Sequence, residues 1–163
     1  MTADEGSFNR IFDIEESIVD IETLFHSAKV KHLYDWWCMA GGGRLPSRGM
    51  FDVVDHKSII ANLFLTEVTP RGDFVFRLLG EEVIAMVGRN YTGETVKDSS
   101  WAEYGHALGA YYRSIIEAKT CRRCVGSLAF PDNDLRRFES IDCPLSSDGM
   151  AVDMIIGVMD TIR

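Results

Sequence analysis

At 163 residues the chain has the length of one domain, and 46% hydrophobic with 26% charged residues is the composition of a folded globular protein. A net charge of −8 argues against nucleic acid as a partner, because phosphate-backbone binding starts from a basic surface. The longest apolar runs, such as 59–65, are broken by Asn62 and fall far short of the roughly 20 residues a membrane helix needs, so no membrane insertion is expected.

The sequence opens without a basic and apolar leader. Its four cysteines, Cys38, Cys121, Cys124 and Cys143, belong to a chain able to bury its own core, and they read as reduced thiols in a cytoplasmic protein. Residues 1–9 are polar and expected to fray. Ile11, Ile14, Ile18, Ile21 and Phe25 then follow at +3, +4, +3 and +4, the seam of a helix, and Asp13 with Glu16 resembles a capping box. Residues 1–27 are therefore read as a helical extension whose seam either forms a dimer or lies on its own domain's sheet, with 28–163 as a single domain.

Ser27 caps a second predicted helix, 28–39, striped by Val30, Leu33, Tyr34 and Trp37 and closed by Gly41-Gly42-Gly43. No Lys-Ser/Thr follows the glycines, so they read as a helix cap and not a phosphate loop. After a connector over 44–56, strands at 62–68 and 74–79 form a predicted hairpin across Pro70-Arg71-Gly72-Asp73. Val83, Met86 and Val87 share one face of a short helix over 81–87. A long helix over 101–118 puts Tyr104, Leu108, Tyr111 and Ile115 on one face, with Tyr112 and Ile116 beside them. Strands at 121–130, 137–143 and 152–159 close an α+β layout with a five-stranded antiparallel sheet.

Few residues suggest chemistry. Cys121-Arg122-Arg123-Cys124 lacks a second close pair for zinc, and on a strand i and i+3 point to opposite faces. In the loop 88–95 Glu94 stands where a phosphate loop needs lysine. Asp132-Asn133-Asp134 fails as a calcium loop, with Arg137 at the glycine position and Cys143 at the glutamate position. His26, His32, His56 and His106 are scattered, and no nucleophile with its base can be named, so neither a metal site nor an enzyme is expected. Arg77 lies in an apolar strand and shares a face with Val75 and Leu79. If that face is the core, Arg77 must pair with a carboxylate or an anionic ligand; otherwise its head reaches water.

Several motifs occur in a characteristic order: Leu33-Tyr34-Asp35-Trp36-Trp37, Gly42-Gly43-Arg44-Leu45-Pro46-Ser47-Arg48, Asn62-Leu63-Phe64-Leu65, Phe76-Arg77-Leu78-Leu79-Gly80, Gly88-Arg89-Asn90-Tyr91-Thr92-Gly93, Cys143-Pro144-Leu145-Ser146 and Ile156-Gly157. Through them, residues 28–160 resemble a PAS domain and are similar to a bacterial subfamily of short, stand-alone PAS proteins. The resemblance implies a five-stranded sheet curled around a cavity lidded by helices, in a non-enzymatic sensor or adaptor that signals by protein contacts. The expected ligand is an unidentified small molecule, apolar or weakly anionic. Candidate lining residues are Arg77, Leu79, Val83, Met86, Val87, Tyr91, Leu108, Tyr111, Tyr112 and Ile115.

Expected partners are a second copy, as a homodimer, and a regulatory protein in trans. The alternative reading is a PAS interaction module with a filled core. Haem is a more distant option, because the ligand position on the long helix would fall to His106, which groups with Ala102, Gly109 and Arg113 away from the apolar face. Flavin photochemistry needs a cysteine after the central helix, and none lies between Cys38 and Cys121. Residues 157–162 look like the last PAS strand and its Asp-containing joint. With the sequence ending at Arg163, signalling is expected through the surface or the N-terminal helix.

Overall fold

The computed structural model describes residues 9–96 and 102–163, with side chains in the long helix from residue 107 onward. Its elements are β1 (Arg10–Ile18), α1 (Ala28–Gly41), 3₁₀ segments at Arg48–Met50 and Val53–Asn62, β2 (Leu63–Val68), β3 (Phe74–Leu79), α2 (Glu81–Val87), α3 (Ala102–Ala118), β4 (Arg122–Ala129), β5 (Leu135–Leu145) and β6 (Met154–Ile162). The strands form one six-stranded sheet in the order β1-β4-β5-β6-β2-β3, and every neighbouring pair is antiparallel. Among the described residues no helix is long and apolar enough to cross a membrane.

The N-terminal segment corrects the sequence reading: it is a strand, not a helix, and it adds a sixth strand beside β4. The error has a physical source. Phe12 pairs with Ser127 but Glu15 pairs with Val125, so Asp13 and Ile14 together oppose Gly126 in a β-bulge, with Asp13 at φ +52°. The inserted residue puts Ile11 and Ile14 on the same face at a spacing of three, which imitates helical periodicity. Gly126 is required here: a Cβ would lie 2.7 Å from the Phe138 ring and 3.3 Å from the Phe12 carbonyl oxygen. The remaining seam positions scatter, with Ile18 and Ile21 in solvent and Phe25 against the Tyr34 ring.

Both faces of the sheet are covered. On the back, α1 and the 3₁₀ segments bring Val30, Leu33, Phe51 and Ile59 onto Ile141, Cys143, Leu145, Ile156 and Val158. On the front, α2 and α3 bring Val83, Met86, Val87, Tyr111, Tyr112 and Ile115 onto Phe64, Phe76, Leu128, Phe138 and Ile155. Strand β5 serves both, sending Phe138, Ser140 and Asp142 forward and Glu139, Ile141 and Cys143 backward.

Helix α1 is fixed at its start by polar contacts to the sheet. The Ser27 hydroxyl oxygen accepts from the Lys29 and Val30 amides and donates to Asp160 at 2.7 Å. The His26 and Ser27 amides donate to the Glu139 carboxylate at 3.0 and 2.8 Å. Gly42 ends the helix in the left-handed region at φ 53°.

Candidate functional site

Between the front of the sheet and α2 and α3 lies a cavity of about 160 Å³. Every strand contributes to it: Ile11, Ile14 and Glu16 from β1, Phe64 from β2, Phe76 and Leu79 from β3, Cys124 from β4, Phe138, Ser140 and Asp142 from β5, and Met159 from β6. The helices close it with Val83 and Val87 of α2 and with Ala107, Leu108, Tyr111 and Tyr112 of α3. Most of this wall is hydrocarbon, as in a small-molecule pocket.

Its polar centre is Asp142. The residue is buried, and the Tyr111 hydroxyl donates to Oδ2 at 2.7 Å while lying 3.3 Å from the Arg122 carbonyl. Among the described residues no other side chain donates to this carboxyl, and no wholly buried side-chain oxygen or nitrogen lacks a partner, so Oδ1 faces the cavity. Burial pushes the Asp142 carboxyl up to about 7; the Tyr111 hydrogen bond pulls against that and Glu16 adds to it. Burial likewise pushes the Cys124 thiol up to about 12, with Asp142 adding, and drives the Tyr111 hydroxyl well above its ordinary value. Thiol and hydroxyl are both protonated at neutral pH. The Tyr112 hydroxyl shares a 3.3 Å hydrogen bond with the Thr66 hydroxyl.

Of the residues proposed from sequence, Leu79, Val83, Val87, Leu108, Tyr111 and Tyr112 line the cavity. Met86, Tyr91 and Ile115 are buried in the surrounding core without reaching it. Arg77 lies outside it: the residue is exposed and its guanidinium pairs with Glu67. A second bulge explains this, because Leu65 pairs with Leu78 and Thr66 with Phe76, leaving Arg77 as the extra residue. Phe76 and Leu79 consequently both face the cavity, again three apart. The side chains of Tyr104 and His106, and with them the haem option, lie outside the described residues, as do Trp101 and residues 1–8.

Sequence reasoning missed Asp142, Ser140, Cys124 and the two isoleucines of β1. A signal for Asp142 existed, since an acid inside the run Ile141-Asp142-Cys143-Pro144-Leu145 cannot avoid burial if the run is a central strand.

Among the described residues the polar groups elsewhere are paired or solvated. His32 and His56 share a 2.9 Å hydrogen bond, and His56 stacks on Phe51. Among the described residues no three metal-ligating side chains cluster. A wider hollow beside the end of α1, about 780 Å³, is a solvated depression bordered by exposed Cys38, Arg44, Lys119, Asp148 and Met150.

A family model described as PAS domain matches residues 24–160. The fold is similar to a structure of VqmA bound to DPO, with a TM-score of 0.52 and 13% identity over 67% of this chain and 57% of that one. It is also similar to a Vibrio cholerae VqmA dimer in the absence of target DNA, at 0.52 and 13% over 69% and 52%. An RNA-binding light-oxygen-voltage receptor matches at 0.54 and 10% over 91% of this chain and 38% of that one. The matches thus span about half of those chains or less, and at such identities they show a shared fold. A search of curated proteins gives no significant match.

Proposed function

The chain belongs to the PAS domain family, and from that premise we propose that it is a cytoplasmic, non-enzymatic sensor or adaptor whose front cavity holds a small molecule. The observation that carries this reading is the cavity of about 160 Å³ itself. Protein interiors close to a density that leaves few voids larger than a water molecule, so a partly open, mostly apolar hollow of this size between sheet and helices is room for a small molecule. On the back of the same sheet Val30, Leu33, Ile141, Cys143, Leu145, Ile156 and Val158 are fully buried against one another.

The chemistry of the wall favours binding over catalysis. Cys124 and Tyr111 are held in their protonated forms, so neither offers an ionised nucleophile at neutral pH. With Arg77 on the surface, the residue that motivated an anionic ligand is removed from the site. Occupancy would be felt on two elements, because Ile11 and Ile14 of the edge strand and Leu108, Tyr111 and Tyr112 of α3 touch the same volume. Four cysteines outside disulfides fit a reducing compartment.

Mass spectrometry of compounds released on denaturation, together with a thermal-shift screen across a metabolite panel, tests the reading. A stoichiometric small molecule, or a shift that saturates with one compound, is expected; neither appearing would overturn it.

Self-association is a second element of the proposal. Strand β1 is a sheet edge, and Ile18, Ile21 and Leu24 beyond it are 69%, 96% and 87% exposed. A second copy can pair with that edge about a two-fold axis and cover those side chains. Sedimentation of the wild type and Ile21→Lys checks it: a monomeric wild type would remove the dimer.

A further inference from the structure

We infer that the cavity takes a compact single-ring aromatic molecule that presents an N–H donor to Asp142. This deepens the sensor reading and rests on it. Size comes first: an apolar cavity of about 150 Å³ accommodates benzene, and the volume here is about 160 Å³. The rings of Phe64, Phe76, Phe138, Tyr111 and Tyr112 stand around that space, so a flat aromatic body finds edge and face contacts on several sides.

The head group follows from which polar atoms still lack a partner. Tyr111 already gives its proton to Oδ2 of Asp142, so once the carboxyl is ionised the pair offers the cavity an acceptor, Oδ1, and no donor of its own. The charged and titratable groups around Asp142 agree in sign. From β1 comes Glu16, whose carboxylate lies 4.0 Å from the Arg122 guanidinium of β4. From β4 come neutral Cys124 and the Arg122 carbonyl, and from α3 the neutral hydroxyls of Tyr111 and Tyr112. From β5 itself comes the Ser140 hydroxyl. Helix α2 and strand β6 present only Val83, Val87 and Met159. Among the described residues two acids and no lysine or arginine line the space, so an N–H head, neutral or protonated, is stabilised there and a carboxylate guest is repelled by the ionised pair. The aromatic walls reinforce the preference if the head is cationic.

Three ring-sized probes separate the possibilities by calorimetric titration of the full chain: 2-aminopyridine, whose amidine-like edge matches a carboxyl, toluene of similar size without a donor, and benzoate. The expected result is that 2-aminopyridine binds roughly tenfold or more tightly than toluene, the margin of a charge-assisted hydrogen bond, that Asp142→Asn erases the margin while toluene binding persists, and that benzoate does not bind. Carbon-detected titration of Asp142 in the wild type supplies a readout free of any folding defect in the variant. The carboxyl's titration midpoint should fall by about one pH unit or more with 2-aminopyridine bound and stay in place with toluene. Equal binding of 2-aminopyridine and toluene, with no change at Asp142, would overturn the donor inference and leave the cavity reading intact. Preference for benzoate would also overturn it. Binding of none of the three, in protein first stripped of small molecules by denaturation and refolding, would remove both.

Discussion

Strand β5 carries two buried acids three residues apart, and they point to opposite faces of the sheet. Glu139, on the back, is surrounded by donors: the Arg123 guanidinium reaches it at 2.6 and 2.8 Å, and the His26 and Ser27 amides at the start of α1 complete the shell. Asp142, on the front, has one phenol and an open cavity. A buried charge with donors on both oxygens and a counter-charge beside it is an architectural joint, here between a helix start and a sheet. A buried acid left short of donors is a site waiting for one.

The largest expected effect breaks the joint. Glu139→Ala leaves Arg123 without its counter-charge and the His26 and Ser27 amides that lead into α1 without acceptors, so urea unfolding should report a loss of about 3–5 kcal/mol. A loss below about 1 kcal/mol would mean that α1 is held by its apolar stripe alone.

Asp142 gives the opposite signature with pH. Its folded value of about 7 lies above the ordinary 3.8, so between those limits the unfolded chain releases a proton that the folded chain keeps. Stability is therefore greatest below 3.8 as far as this group is concerned and is lost as pH rises toward 7, by about 4 kcal/mol at most. His56 works against it, because burial depresses its imidazole and folding loses stability as pH falls below 6.5. The measurement is thus the difference between wild type and Asp142→Asn from pH 4 to 8. The variant should gain on the wild type as pH rises; a difference independent of pH would place the carboxyl's titration outside this window.

Packing distinguishes the faces as well. Leu33 is fully buried on the back, where Leu33→Phe should cost about 1–3 kcal/mol through overpacking. Leu108 borders the cavity, so the added ring of Leu108→Phe has somewhere to go, and the cost should stay under about 1 kcal/mol while ligand binding is lost. Paired urea titrations with a thermal-shift assay decide the point: equal costs at the two positions would mean that the front is as full as the back.

Much of the fold was legible locally. The Ser27 cap and glycine stop of α1, the hairpin turn at Pro70 to Asp73 and the apolar face of α2 announce elements that the structure places at or within a few residues of the sequence-derived limits. What could not be read is long-range. The β1 bulge exists because Gly126, more than a hundred residues away, lets Phe138 and the Phe12 carbonyl approach it, and nothing near Ile11 reveals that. Asp142 was hidden for another reason: residues 138–145 are buried on both faces, so alternation along β5 disappears and only the packed sheet shows which face is hollow.

Arg77 is where both obstacles meet, and it is the smallest effect of the series. Strict alternation would send it to the face of Val75 and Leu79, but the extra residue in β3 turns it out to Glu67, with the two side chains 50% and 34% exposed. An ion pair so solvated contributes under about 1 kcal/mol, so Arg77→Ala should barely move the urea midpoint and should leave ligand affinity unchanged. Its deletion tests the geometry more sharply than its substitution. Without residue 77 the pairs Thr66–Phe76, Leu65–Leu78 and Phe64–Leu79 become a continuous ladder, and Phe76 and Leu79 keep their places on the cavity wall. A deletion variant that folds and still binds would show that residue 77 sets the bend of the edge strand; one that folds and loses binding would mean that the bend shapes the cavity.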